Sequence, residues 1–200
     1  MSGLALHYER KTTQHHVVLS VPQGKVTRVH LPDEDSKAHL VTAVLKARTQ
    51  PEEELELFGQ KTADLKKRER KQVRARLGAV SPVVGLINNL NAWENISLPA
   101  AYHGTAPLEN VAELAHEVIT AFGGDPEPFL LRVPDELSML ERKVAAFVRL
   151  LVSAPELMIF DALEEGLSHS ECNRVAKFEM VYRAYQPAGT VLYVDTREDT

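Results

Sequence analysis

Two valine-rich runs set the hydrophobic pattern near the start of the chain. Val17-Val18-Leu19-Ser20-Val21 and Lys25-Val26-Thr27-Arg28-Val29-His30 stand on either side of the turn Pro22-Gln23-Gly24. Short runs rich in β-branched residues, punctuated by proline and glycine, predict strands, so residues 4–30 are expected to be β-rich. A helical pattern follows from Leu40 to Ala47, and then a short strand, Glu54-Leu55-Glu56-Leu57-Phe58, closed by Gly59. Leu77-Gly78-Ala79-Val80 predicts another strand. Leu108, Val111, Ala115, Val118 and Ile119 share one face of a helix from Leu108 to Phe122, which Gly123-Gly124-Asp125-Pro126 ends. The densest pattern lies in 135–168. A polar turn with Leu137 and Ser138 leads into an amphipathic segment, Glu141 to Val152. After a break at Pro155 comes the apolar run Leu157-Met158-Ile159-Phe160, ending on Asp161. An uninterrupted apolar run between turn signals predicts a strand buried on both faces of a parallel sheet. A carboxylate at its C-terminal end stands where open α/β sheets place their ligands. The last apolar run is Thr190-Val191-Leu192-Tyr193-Val194.

Composition narrows the function classes. Two hundred residues suit one domain, or a core with a small appended subdomain. A net charge of −5 argues against a general nucleic-acid binder, which would carry a basic face. The locally basic run Lys66-Lys67-Arg68-Glu69-Arg70-Lys71, with Arg74 and Arg76, has interleaved acid and no aromatics, and reads as a solvated helix. Cys172 is the single cysteine, so no internal disulfide and no cysteine-based zinc cluster is expected. His39, His103, His116 and His169 show no metal-ligand spacing, and the adjacent His15 and His16 point to opposite faces of a strand edge. There is no signal-peptide pattern, and no apolar run reaches the roughly 18 residues of a membrane span. A soluble, cytoplasmic protein is expected, without direct membrane insertion.

The order of elements in 135–168 resembles the ATP-binding subunit, or nucleotide-binding domain, of ABC transporters. In that family a signature loop (LSGGQ), a helix, a strand ending in Asp and a Gly-Leu-Asp loop follow one another. Leu137-Ser138-Met139-Leu140-Glu141 falls on the signature, Asp161 on the metal-binding Asp, and Gly166-Leu167-Ser168 on the later loop, without a gap. A second gapless register covers 77–96, where Trp93-Glu94-Asn95-Ile96 matches the family's Leu-Glu-Asn-Val helix start. The resemblance spans 4–197 and implies an α/β P-loop NTPase fold of the ABC nucleotide-binding type. That fold has a mixed β-sheet core, an N-terminal antiparallel β-subdomain and a small helical subdomain, here C-terminally shortened. It implies one domain over 1–200: a β-rich part at 1–30 and 51–60, an α/β core at 31–50, 61–82 and 155–200, and a helical subdomain with the signature region at 83–154.

The resemblance holds in scaffold and fails in chemistry. A P-loop, G-x-x-x-x-G-K-[S/T], uses glycines so that backbone N–H groups converge on phosphate, and a hydroxyl to hold Mg²⁺. Here Leu31 and Ser36 stand at the glycines, Lys37 survives, and Ala38 replaces the hydroxyl. Asp33, Glu34 and Asp35 place three negative charges where a triphosphate would lie; each like-charge contact at about 4 Å costs roughly 1 to 4 kcal/mol. Lys37 is read either as a vestigial nucleotide ligand or as an internal salt bridge to Asp33, Glu34 or Asp161. Asp161 is either a vestigial Mg²⁺ position or a partner of backbone N–H groups or Lys37. Tyr8 lies near the family's adenine-stacking aromatic, and is equally a strand tyrosine. Pro82 stands at the Q-loop glutamine and can neither coordinate nor relay a proton. Ala162 replaces the general-base glutamate, and Thr196 the histidine that senses the γ-phosphate. At the signature, Met139 and Leu140 fill the glycine clamp, and Ser138 alone is left to donate.

No catalytic residue is therefore expected, and no bound cofactor. The implied function is a catalytically inactive ABC-type subunit acting structurally or in regulation. Its expected partners are a membrane permease and a second ATP-binding subunit, in a homodimer or heterodimer peripheral to the inner membrane, with no nucleic acid. The apolar, asparagine-rich loop 83–92 lies where transporters receive the permease, with Leu86, Ile87 and Trp93 as candidate interface residues. The texture of Pro-x-Glu-Leu-Ser and Leu-Met-Ile-Phe-Asp looks most like bacterial subunits serving lipid or organic-solvent-resistance permeases. Two alternatives stand: a divergent but active ATPase binding ATP and Mg²⁺ through Lys37, Asp161 and Tyr8, and a soluble regulator reusing the fold.

Overall fold

A computed structural model describes residues 3–13, 15–104 and 106–196, and of His103 the backbone alone. His103, one of the histidines read as non-functional, has its side chain outside the described residues. Contacts divide the chain into two units: Met1–Val83 with Pro155–Ala162 and Gln186–Thr200, and Val84–Ala154 with Leu163–Tyr185.

The first unit holds two sheets. Strands β1 (Leu4–Lys11), β2 (His16–Pro22), β4 (Glu53–Leu57) and β5 (Gln60–Lys61) form an antiparallel sheet in the order β2-β1-β4-β5. Strands β3 (Val26–Leu31), β6 (Leu77–Val80), β7 (Leu157–Asp161) and β8 (Thr190–Thr196) form a parallel sheet in the order β3-β8-β7-β6. The segment expected to be β-rich ends inside β3, which pairs parallel with β8 and belongs to the second sheet. A strand pattern does not say which neighbour the strand takes. The turn after Pro22 makes the transfer. Gly24 has φ +72 and donates its N–H to Thr190 Oγ1 at 2.9 Å, delivering the chain to the edge of β8. Every residue of β7 is buried, as its unbroken apolar run predicts for an interior strand.

Helix α1 (Glu34–Lys46) turns Leu40, Val41, Ala43 and Val44 into a core shared with Leu6, Leu19 and Leu57 from one sheet and Leu31, Ile159 and Leu192 from the other. Each such Leu, Ile or Val contributes about 1.5–3 kcal/mol by burial. The helix stops at Ala47, a non-glycine in the left-handed region at φ 46. That conformation costs roughly 1–2 kcal/mol. It is held by the Ala47 N–H returning to Ala43 and Val44, and by Arg70 Nε donating to Ala47 O at 3.0 Å. Arg70 sits on α2 (Lys67–Ala75), whose only buried residue is Val73, so the basic run is the solvated helix expected.

The second unit is helical: α3 (Ala92–His103), α4 (Leu108–Ala121), α5 (Pro126–Leu131), α6 (Met139–Ser153), α7 (His169–Val175) and α8 (Phe178–Tyr185). Its centre is aromatic. Phe147 of α6 stacks on Phe178 of α8 with centroids 4.1 Å apart, and Phe122 meets both edge-on. Helices α7 and α8 cluster with this unit. The face predicted on α4 is buried at Val111, Ala115, Val118 and Ile119, but Leu108 is 49% exposed in the first turn. Gly123 ends the α4 segment at φ +79, and Gly124 donates back to Ile119 O at 2.9 Å, the closing bond of a helix C-cap.

Candidate functional site

The phosphate-loop position lies between β3 and α1, and no loop is there. Only Pro32 and Asp33 separate Leu31 from Glu34. Asp33 is the N-cap of α1, with extended backbone, and its Oδ1 accepts from Ser36 N at 2.6 Å. The hydrogen bond from Ser36 holds the Asp33 carboxyl below its usual range. Glu34 and Asp35 occupy the first turn, so the positive end of the helix dipole faces three carboxylates of its own chain. In a P-loop the same helix end faces phosphate.

Lys37 emerges one turn later and is 7% exposed. Its Nζ lies 2.8 Å from Glu34 Oε2 and 3.5 Å from Asp161 Oδ1, two of the three partners foreseen for an internal pair. Glu34 Oε1 in turn accepts from Thr196 Oγ1 at 3.0 Å. Burial pushes Lys37 down, but the Glu34 hydrogen bond and the Asp161 charge outweigh it and hold the amine above its ordinary value. The Lys37 hydrogen bond holds Glu34 below the usual carboxylate range, against a smaller opposing effect of burial. Both partners move in the direction of a formed ion pair. Asp161 is 3% exposed at the C-terminal end of β7. Its Oδ2 accepts from Ser81 Oγ at 2.5 Å, and its Oδ1 has no hydrogen-bond partner. At 3.5 Å, Lys37 meets Oδ1 as an ion pair longer than a hydrogen bond. The result is one cation between two carboxylates, with Ser81 and Thr196 donating from the outer side of each.

Ser81 is the member that sequence reasoning missed. Strands β6 and β7 run parallel with Val80 opposite Phe160, so the residue after Val80 must arrive beside Asp161. The gapless register over 77–96 already contained that signal. The other altered positions are accounted for locally. Ala162 is left-handed at φ 49 and donates its N–H to Val194 O at 3.2 Å, presenting a methyl group where the family has a base. Pro82 is exposed. Among the described residues no cluster of three or more His, Cys, Asp or Glu side chains is placed to hold a metal ion.

Tyr8, read as an adenine-stacking aromatic or as a strand tyrosine, lies inside the antiparallel sheet. It is 1% exposed in the core of the antiparallel sheet, and its hydroxyl donates to Glu53 Oε1 at 2.9 Å. Burial, then the Glu53 charge and hydrogen bond, raise its pKa. The ring is covered within the core cluster that Tyr8 shares with Leu6, Leu19 and Leu55. Ser138, in the second unit, caps α6. Its Oγ accepts from Glu141 N at 3.2 Å and its own N–H donates to Glu141 Oε2 at 2.8 Å. Ser138 was expected to be the group left to donate; its N–H is engaged internally. Arg132 forks onto Glu141 at 2.5 and 3.2 Å. Although burial opposes it, the guanidinium and the Ser138 N–H hold Glu141 low. This is a capping box closed by a salt bridge.

The loop proposed as an interface is also in the second unit. Ile87 is 41% and Val83 of the adjoining segment 52% exposed, while Leu86 and Trp93 are half-buried. Asn95, fully buried and not singled out from sequence, pins the loop. Ile87 N donates to its Oδ1 at 2.7 Å, and its Nδ2 reaches Ile87 O, Leu90 O and Asn91 O at 3.0–3.1 Å. Arg149 donates to Gly85 O and Val84 O, and burial without a carboxylate partner lowers its pKa.

The two-sheet unit with α1 against the parallel sheet, together with a helical unit carrying the capped α6, has the architecture of a P-loop nucleotide-binding domain of the ABC type. A dimeric bacterial ABC transporter cassette, MJ0796, has the same fold, with a TM-score of 0.76 over 98% of this chain and 88% of that one at 22% identity. The lipoprotein-releasing system ATP-binding protein LolD of Maricaulis maris is 30% identical over 175 residues, 86% of this chain and 75% of that protein. The chain therefore belongs to the ATP-binding subunits of ABC transporters. The intermembrane phospholipid transport system ATP-binding protein MlaF of Haemophilus influenzae is 28% identical over 144 residues, 72% of this chain and 53% of that protein. No family model matches the chain. No described helix is long and apolar enough to cross a membrane.

Proposed function

We propose that this chain is an ABC ATP-binding subunit that neither binds nor hydrolyses ATP, and that it serves as a structural or regulatory subunit of a membrane transport complex. The observation that carries the reading is the closed set Asp161–Lys37–Glu34–Thr196. The lysine reserved for phosphate in the family is paired with Glu34 and Asp161, and Glu34 lies between it and Thr196. An incoming γ-phosphate would meet carboxylates at the helix end that should attract it, and would have to break a charge-assisted pair. Phosphoryl transfer depends almost entirely on positioning and charge stabilisation, so a site prefilled with its own anion has lost both. These residues do not suit a magnesium triphosphate, and no catalytic step is assigned to them.

The expected setting is cytoplasmic, at the inner face of a membrane, docked to a permease through Ile87 and Trp93 and paired with a second ATP-binding subunit. The kinship with LolD and MlaF favours a lipid or lipoprotein cargo system. Calorimetric titration of the full chain with ATP, with and without Mg²⁺, tests the reading alongside a phosphate-release assay. No heat of binding below millimolar nucleotide and no turnover are expected. Micromolar affinity with release of phosphate overturns the proposal.

A further inference from the structure

A second polar site lies in the first unit, away from α1's first turn. An open pocket of ≈ 630 Å³ is bounded by Arg48, Thr49, Gln50, Glu53, Thr62 and Arg70. It sits where the connection from α1 to β4 meets the 3₁₀ turn Thr62–Asp64 and the start of α2, and its size suits a small-molecule ligand. Three features of its wall point to one ligand chemistry. Arg70 is fixed by backbone carbonyls alone, with Nε on Ala47 O and Nη2 on Thr62 O and Leu65 O, so its charge is held in place and not neutralised. Among the described residues no carboxylate is within ion-pair distance of Arg70, nor of the exposed Arg48 beside it. Thr62 is 1% exposed, and its Oγ1 has no hydrogen-bond partner. A buried hydroxyl in that state is a donor awaiting an acceptor.

The one acid on the wall does not cancel this. Glu53 Oε2 accepts from Gln50 N at 2.8 Å, and its Oε1 accepts from the Tyr8 hydroxyl and faces His39 Nδ1 at 3.2 Å. Its charge is directed to the interior. We infer that this pocket binds a small oxyanion, the phosphate or carboxylate group of a metabolite. Arg48 and Arg70 meet the anionic oxygens, and Thr62 donates a hydrogen bond to one of them. Guanidinium groups suit both anions, since either presents paired oxygens in a plane. The inference uses none of the residues that carry the reading of the nucleotide position.

The test is an NMR titration of the ¹⁵N-labelled full chain at constant ionic strength, in separate arms with inorganic phosphate, pyrophosphate and citrate. Saturable shifts are expected in the amides of residues 48–50 and 62–70, and the arm that saturates at the lowest concentration identifies the class. Arg48→Ala, at an exposed position, and the isosteric Thr62→Val should each weaken binding at least tenfold. Thr62→Val should leave the free chain as stable as wild type or more so. The proposal is overturned if no arm saturates, if either variant binds as wild type does, or if the shifts centre on residues 33–38.

Discussion

Replacing Lys37 by methionine distinguishes a lysine that belongs to the fold from one kept for a ligand. The side chain is 7% exposed, and among the described residues its nitrogen is the only cation within ion-pair distance of Asp161, which is 3% exposed with one oxygen already lacking a hydrogen bond. Removing one partner of a buried pair costs about 3–5 kcal/mol, because the other charge is stranded. The Glu34 side chain is 72% exposed, so its half of the network adds little. The expected loss is therefore near the lower end, about 3 kcal/mol. At about 2–4 °C per kcal/mol for a chain of this size, the melting temperature should fall by roughly 6–12 °C. Urea unfolding followed by far-UV circular dichroism measures the loss as a lower midpoint at unchanged slope. The double variant Lys37→Met/Asp161→Leu strands no charge and should recover most of it, since replacing a buried pair by apolar groups is often close to neutral. A single variant within about 0.5 kcal/mol of wild type refutes the reasoning, as does a double variant no better than the single one.

The same pair sets a pH profile. Glu34 is held below its ordinary 4.5, so its contribution is present above that value and is lost as pH falls through the depressed one. Lys37 is held above 10.5, so its contribution is complete below that value and is lost as pH rises through the raised one. Urea midpoints across pH should show both limbs, and Glu34→Gln should reduce the acid limb only slightly, because the Glu34 side chain is 72% exposed. Asn95→Ala removes the side chain that ties Ile87, Leu90 and Asn91, at about 1 kcal/mol per bond. Hydrogen exchange and limited proteolysis should therefore show residues 84–91 opening before the helices unfold. At Gly124 a Cβ would come within 2.7 Å of Ile119 Cγ2, in a side chain that is fully buried. Gly124→Ala should cost about 1–3 kcal/mol, read as a shifted urea midpoint.

Much of the architecture was legible along the chain, and the reasons are local. The unbroken apolar run at 157–160 required a strand covered on both faces, and β7 is that strand. The start of α1 is legible too, though not in the hydrophobic periodicity, which begins only at Leu40. Asp33-Glu34-Asp35-Ser36 is a capping sequence, and α1 begins at Glu34. The acids set against a bound triphosphate are the residues that nucleate the helix replacing its loop.

Period and capping chemistry are properties of neighbours in sequence, so the sequence alone carried most of the strands and helices and the resemblance to the family. It could not say that β3 takes β8 as its parallel neighbour or seat Tyr8 on Glu53. Those depend on which strand lies beside which, and partner choice is decided by how whole faces pack. Tertiary structure alone also brought Thr196 to Glu34, residues that lie far apart along the chain and meet only because β8 runs beside β3.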